Sequence, residues 1–245
     1  MLNKSYKEFS QIYDLLMDDI DYEKWTAFII SRTGGSRKIL EAACGTGGIT
    51  SILAGKNYKV TAFDLSQDML MRAYEKLGRS PGIKLLNMNM TDFRIDDSFD
   101  AAICCCDGVN YITEDEAGKF FKSIYNHLND NSKFIFDVST AYKYDTLFND
   151  TYVYDDGKIF YVWENETDEQ KKAVNMEINF FIRYSSDKYT RINEIQTQYI
   201  HDVKILTELL KEAGFINIEI YDGYSEKTFN QTSLRAVFCA AKAGA

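Results

Sequence analysis

Short apolar runs alternate with amphipathic segments along the first 139 residues of the chain. Apolar runs of about four to eight residues are typical of buried strands, and apolar residues three and four apart are typical of helices. The runs predict strands at 38–44, 58–64, 83–89, 100–106 and 133–139. Strands that alternate with helices indicate βα units and a mainly parallel, doubly wound sheet of the α/β class.

The helices between these strands have recognisable starts and ends. Ser66 is a predicted N-cap for a helix that ends before Gly78. One face of this helix is apolar and is formed by Met69, Leu70, Ala73 and Leu77. Apolar residues at helical spacing predict another helix over 120–128, and the segment 5–31 is also predicted to be helical.

From residue 142 the apolar period changes to two. Alternate positions are apolar from Val174 to Tyr184, which predicts a half-buried antiparallel strand. Turn-forming residues at 155–157 and 185–188 indicate hairpins. We therefore predict that residues 142–200 form a small inserted antiparallel β-subdomain that covers the substrate.

Beyond the insertion, the pattern returns to that of the core. Asp202 can cap a helix that ends at Gly214, and two strands follow at 215–221 and 233–242. Residues 1–141 and 201–245 are thus predicted to form one core domain.

Composition and charge narrow the classes of function. The 245 residues are 45% hydrophobic and 27% charged, and no run approaches the about 20 apolar residues of a membrane span. A net charge of −9 opposes binding to nucleic acid. The five cysteines lie in apolar runs, which indicates buried thiols and a cytoplasmic protein. With only two histidines, a metal site is not expected.

A glycine-rich turn follows the first predicted strand and precedes a helix. Gly45 and Gly47 allow a ligand to approach the backbone closely, and Glu41 can help to hold a cationic amino group. Thr50 stands where the dinucleotide fingerprint requires its third glycine, so a pyrophosphate site is disfavoured.

Asp64 ends the second predicted strand, 19 residues after Gly45. A carboxylate in this position can accept hydrogen bonds from both hydroxyls of a ribose. The alternative is that Asp64 only caps the next helix.

Four motifs in succession, ILEAACGTG, VTAFDLSQDML, NMNMTDF and SFDAAICCCDGVNYI, resemble those of the class I S-adenosylmethionine-dependent methyltransferases. The chain is also similar to members that carry a β insertion after the fifth strand, among them the sugar amino-group methyltransferases. The resemblance implies a seven-stranded Rossmann-like sheet with one antiparallel strand, and S-adenosylmethionine as the cofactor.

The resemblance also implies roles for single residues. Glu41, Ala43, Gly45 and Gly47 would line the methionine portion of the cofactor, and Asp64 would hold its ribose. The adenine and the sulfonium end would meet a second set, namely Leu65, Asn89, Met90, Cys105, Cys106 and, from the N-terminal helix, Tyr13. Asn89 replaces an aspartate that is usual in relatives, and its amide oxygen can still accept a hydrogen bond.

The sequence points less specifically to the methyl acceptor. Asp107 and Tyr111 are the candidates for a base, if one is needed. Glu194, Gln196 and Gln198 share one face of the last inserted strand and could contact a polar substrate or face solvent. The expected acceptor is an amine or hydroxyl of a small soluble molecule, while an NAD-type oxidoreductase and a non-catalytic binding module stay open as alternatives.

Overall fold

The computed structural model describes residues 10, 12–14, 16–17, 20–148 and 150–244. Seven strands form its main sheet: β1 (Lys38–Ala42), β2 (Lys59–Asp64), β3 (Ile83–Asn87), β4 (Phe99–Cys104), β5 (Leu128–Ser139), β10 (Phe215–Asp222) and β11 (Arg235–Lys242). Their order is β10-β11-β5-β4-β1-β2-β3, and β11 runs antiparallel to both of its neighbours. The predicted seven-stranded Rossmann-like sheet with one antiparallel strand is confirmed.

Helices cover both faces of this sheet. They are α1 (Tyr22–Arg32), α2 (Gly48–Gly55), α3 (Gln67–Leu77), α4 (Glu114–His127), α5 (Ala141–Leu147) and α6 (Val203–Glu212). The predicted cap of α3 is confirmed, since the Ser66 hydroxyl accepts a hydrogen bond from the Met69 amide at 3.3 Å. Of the helix predicted over 5–31, residues 12–14 and α1 are helical, and much of the remainder lies outside the described residues.

Two apolar cores lie on opposite faces of the main sheet. Phe120, Phe121, Phe136 and Phe238 belong to one of them, and Ile29, Ile39, Leu53 and Val237 belong to the other. Alternate residues of each strand enter opposite cores, which explains why the parallel strands are continuous apolar runs. Strand β1 pairs with both β2 and β4, so the carboxyl ends of these strands border the crevice in which doubly wound sheets bind ligands.

The insertion forms a separate antiparallel sheet. Its strands are β6 (Tyr152–Asp155), β7 (Ile159–Asp168), β8 (Ala173–Ser185) and β9 (Lys188–Tyr199), paired in chain order. Val174, Met176, Ile178 and Phe180 are buried on one face of β8, as their alternation predicts. The predicted inserted antiparallel sheet and its two hairpins are therefore confirmed.

Asn110 joins the inserted sheet to the main one. This fully buried side chain donates to the carbonyl oxygens of Ser139 at 3.3 Å and Tyr199 at 2.9 Å, and accepts from the Ser139 amide at 2.9 Å. The end of β5, where the chain leaves the main sheet, is thus tied to the end of β9, where it returns. Among the described residues, no helix is long and apolar enough to cross a membrane.

Candidate cofactor and acceptor site

The glycine-rich turn at the end of β1 has a left-handed backbone at three positions. Ala43, Gly45 and Gly47 have φ angles of 51°, 54° and 76°. Glycine adopts this region freely, whereas the Cβ of Ala43 makes it costly by roughly 1–2 kcal/mol. A Cβ on Gly47 would also lie 3.2 Å from the Ala73 Cβ of α3, so the turn packs too closely on α3 for a side chain there.

Asp64 connects the turn to α3. One carboxylate oxygen accepts from the Gly45 amide at 2.8 Å, and the other accepts from the Ser66 amide at 2.8 Å. Burial raises the pKa of Asp64, although the hydrogen bonds from these amides act in the opposite direction. Each oxygen retains a second lone pair, so the carboxylate can also accept from ribose hydroxyls.

Glu41 lies behind the turn, within β1. Its side chain is buried and accepts a hydrogen bond from the Thr50 hydroxyl at 2.7 Å. Burial raises the pKa of Glu41 to about 7. A cationic group bound nearby would therefore favour the ionised form of this acid.

The residues expected at the adenine differ in exposure. The Leu65 side chain is 69% exposed beside Asp64, which suits an apolar contact with a flat ring, and Met90 is buried. The oxygen of Asn89 already accepts from the amide and the hydroxyl of Thr91, both at 3.0 Å. A hydrogen bond from the adenine amino group to this oxygen would compete with these two bonds.

A second left-handed turn follows β4 at Cys106 and Asp107, whose φ angles are 58° and 61°. The buried carboxylate of Asp137 on β5 accepts from both backbone amides, at 3.1 and 2.7 Å, and from the hydroxyl of Tyr224. Burial raises the pKa of the Cys105 and Cys106 thiols, so both are protonated at neutral pH.

Asp107 is held in an ion-pair network. The Arg235 guanidinium binds it together with Asp137, the Ser139 hydroxyl donates to it at 2.9 Å, and the Lys143 ammonium lies 3.9 Å away. Burial alone would raise the pKa of Asp107, but Arg235 and Lys143 outweigh it and lower the pKa. A carboxylate so stabilised is a poor proton acceptor, which argues against the predicted base role of Asp107.

The polar face of β9 turns inward rather than to solvent. Glu194 and Gln198 are buried, and Gln198 accepts a hydrogen bond from the Tyr144 hydroxyl at 2.7 Å. The half-exposed Tyr111 donates from its hydroxyl to Gln196 at 2.8 Å. The structure thus brings the candidate Tyr111 together with Gln196, while Gln198 supports α5.

Aromatic side chains from the N-terminal part reach the glycine-rich turn. A ring carbon of Tyr13 lies 4.0 Å from the position that a Cβ on Gly45 would take, and burial raises the pKa of the Tyr13 hydroxyl. Tyr22 lies across Gly48, where an added Cβ would be 3.1 Å from its ring, and its hydroxyl is 3.9 Å from the Cys106 sulfur. No sequence pattern predicts that Tyr22 lies at this turn, because its contacts depend on how α1 packs.

Trp25 has a different environment from these tyrosines. Its ring stacks on Tyr224 with centroids 4.3 Å apart, and the Arg235 guanidinium lies 4.9 Å from its ring centre. Trp25 is therefore a packing residue for the ion-pair network.

These residues fit a nucleoside that carries an amino acid and a positive charge. Glu41 and Asp64 supply carboxylates, the turn supplies accessible backbone, and Leu65 supplies an exposed apolar surface. Within the described residues, no group of three or more His, Cys, Asp or Glu side chains is arranged to hold a metal ion.

Known proteins share this architecture. A sequence model described as a methyltransferase domain matches residues 39–131. A protein of Geobacillus sp. (strain WCH70) named as a methyltransferase is 32% identical over 246 residues, with 97% of this chain and all of that protein covered. The crystal structure of an S-adenosylmethionine-dependent methyltransferase from Clostridium acetobutylicum has a TM-score of 0.87 and 34% identity, and covers 98% of this chain and 99% of its own.

A third relative matches a shorter part of the chain. The dTDP-3-amino-3,4,6-trideoxy-alpha-D-glucopyranose N,N-dimethyltransferase of Streptomyces venezuelae is 32% identical over 99 residues, which is 40% of each protein.

Proposed function

Because this chain belongs to the class I S-adenosylmethionine-dependent methyltransferases, we propose that it methylates an amine or a hydroxyl of a small soluble molecule. S-adenosylmethionine is its methyl donor. The carboxylate of Asp64 beside the Gly45 amide supports this most directly, because it places an acceptor for ribose hydroxyls next to an accessible backbone turn. The family assignment decides against the oxidoreductase and the non-catalytic module.

The cofactor is proposed to lie along the carboxyl ends of β1, β2 and β4. Its methionine portion would contact Ala43, Gly45 and Gly47, and Glu41 would stabilise its ammonium group. Asp64 would hold the ribose, and the adenine would rest between Leu65 and Met90. The sulfonium end would approach Tyr13, Cys105 and Cys106.

When bound, the cofactor would supply a methyl group that is attached to a positively charged sulfur. The leaving group would then be a neutral thioether. The chain's own task is then to place the acceptor in line with that methyl group and to exclude water. Tyr111 and Gln196, joined by a hydrogen bond, are proposed to orient the acceptor. The ion pairing of Asp107 leaves Tyr111 as the candidate base in this loop.

An amine is favoured over a hydroxyl as the acceptor. Glu194 places a buried carboxylate on the inward face of β9, two residues from Gln196, where it would attract a protonated amine and take up the proton that the amine must lose before it accepts the methyl group. The relative from Streptomyces venezuelae is named for dimethylation of an amino sugar nucleotide.

We also infer that the protein works in the cytoplasm, because its five cysteines are free thiols.

A panel of paired acceptors tests this proposal. Amino sugars and their hydroxyl counterparts are incubated with the protein and S-adenosylmethionine, and products are followed by mass spectrometry and by release of S-adenosylhomocysteine. We expect methyl transfer to members of the amine set, and slower transfer in Asp64→Ala when S-adenosylmethionine is below saturation. Transfer confined to nucleic acid or to a protein would contradict the small-molecule assignment.

A further inference from the structure

Asp14 connects the N-terminal helical segment to two parts of the cofactor crevice. Its carboxylate accepts a hydrogen bond from the Thr46 hydroxyl within the glycine-rich turn. The Lys76 ammonium of α3 lies 3.0 Å from one oxygen of Asp14 and also donates to the Thr46 hydroxyl at 3.3 Å. One carboxylate therefore links three elements that are far apart in sequence.

The residues next to Asp14 lie over the crevice. Tyr13 reaches the space above Gly45, as described. Ile12 is buried in a cluster with Met69 of α3 and with residues of the inserted sheet, namely Ile178, Phe180 and Ile192. Residues 12–14 thus lie between the glycine-rich turn, α3 and the inserted sheet.

We propose that Asp14 is a positioning residue that fastens the segment carrying Tyr13 across the glycine-rich turn. Release of Asp14 from Thr46 and Lys76 is then a step in the exchange of S-adenosylmethionine for its product. This inference rests on the proposed position of the cofactor at that turn.

The two contacts of Asp14 differ in strength. The Thr46 side chain is almost fully buried, so its hydrogen bond to an ionised carboxylate is of the strong, charge-assisted kind. The ion pair with Lys76 is partly exposed, with 32% of the Lys76 side chain and 51% of the Asp14 side chain accessible, so salt screens it. The hydrogen bond from Thr46 and the ion pair with Lys76 together hold the segment in place, yet both can break reversibly.

Stopped-flow measurement of S-adenosylmethionine dissociation from the full chain tests the role of Asp14. Thr46→Val should raise the dissociation rate about 10-fold, the scale of one hydrogen bond to a charged group. Lys76→Met should raise it about 2- to 5-fold at low salt, with a smaller effect at high salt, because the exposed ion pair is screened. The exchanged pair Asp14→Lys with Lys76→Asp regains the ion pair but not the acceptor for Thr46, so it should dissociate more slowly than Asp14→Lys alone, which a general loss of packing would not explain.

Arg72→Ala is the matched control, because Arg72 lies on the same helix and forms an exposed ion pair with Glu75 at 2.7 Å, away from Asp14. Unchanged dissociation rates in Thr46→Val and Lys76→Met, or an equal rise in Arg72→Ala, would overturn the role of Asp14. If the wild-type protein did not bind S-adenosylmethionine at all, the proposed cofactor site itself would fail. Because the Lys76 side chain is partly exposed, we expect Lys76→Met to fold even if Thr46→Val does not.

Discussion

The Asp64 carboxylate and the Gly45 backbone amide are 2.8 Å apart, so the acid that ends β2 is bonded directly to the turn that follows β1. The distance between the proposed ribose and methionine contacts is therefore fixed before any ligand binds. Such preorganisation reduces the entropy that ligand binding must overcome.

Replacing Asp64 by Ala should weaken S-adenosylmethionine binding by about 1–3 kcal/mol, the scale of lost hydrogen bonds to a charged group. Isothermal titration calorimetry measures the change. Asp64→Asn is the matched control, because an amide oxygen can still accept one of the two backbone bonds. Equal affinity in wild type and Asp64→Ala would remove Asp64 from the site.

Glu41 should make the ligand-free protein less stable as pH rises. Its folded pKa of about 7 exceeds the unfolded value of 4.5, so its stabilising contribution is complete below pH 4.5 and is lost as pH rises towards 7. The difference corresponds to about 3 kcal/mol. Glu41→Gln should therefore exceed wild type in unfolding free energy above pH 7 by roughly that amount, and match it below pH 4.5.

Urea denaturation at several pH values measures this difference. Glu75→Gln serves as the control, because Glu75 is an exposed acid paired with Arg72 on α3. Parallel pH profiles for wild type and Glu41→Gln would show that burial does not perturb Glu41.

Loss of Arg235 should be strongly destabilising. Arg235→Met would leave the carboxylates of Asp107 and Asp137 without their shared cation, and breaking a buried ion pair costs about 3–5 kcal/mol. Lys211→Met removes an exposed ion pair with Glu208 and should cost less than about 1 kcal/mol. Denaturation curves in which both variants lose the same free energy would refute this account of the network.

Gly47→Ala should damage both the fold and cofactor binding. The added methyl group meets a φ of 76° and the Ala73 Cβ at 3.2 Å, so the turn must move away from α3. Gly34→Ala isolates the backbone effect, because Gly34 has a φ of 62° and nothing within 4 Å of an added Cβ. We expect a loss of about 1 kcal/mol in Gly34→Ala and more in Gly47→Ala, with calorimetry showing weakened S-adenosylmethionine binding only in the latter.

Local signals account for the parts of the fold that the sequence predicts. The strands of the main sheet are buried on both faces and so form continuous apolar runs, and the Ser66 cap follows from contacts within one helical turn. The inserted sheet was predictable because its strands are covered on one face only, which leaves a period of two.

The site depends on contacts that no local pattern contains. Asp107 and its partner Arg235 are 128 residues apart in sequence, so nothing near Asp107 shows that it is paired. Tyr22 reaches Gly48 only because α1 folds back over the turn. The hydrogen bonds from Thr91 to the Asn89 oxygen are local, yet no sequence pattern reveals them, and the contact of Asn89 with adenine stays a prediction.

Asn110 holds the exit and the return of the inserted sheet at a single junction. Because both ends of the inserted segment meet at this junction, the segment between them can diverge in length and lining while the crevice for the methyl donor keeps its shape. Selection can then change which compound is methylated without altering the site that binds the methyl donor. Specificity for the acceptor and specificity for the donor are therefore free to evolve at different rates.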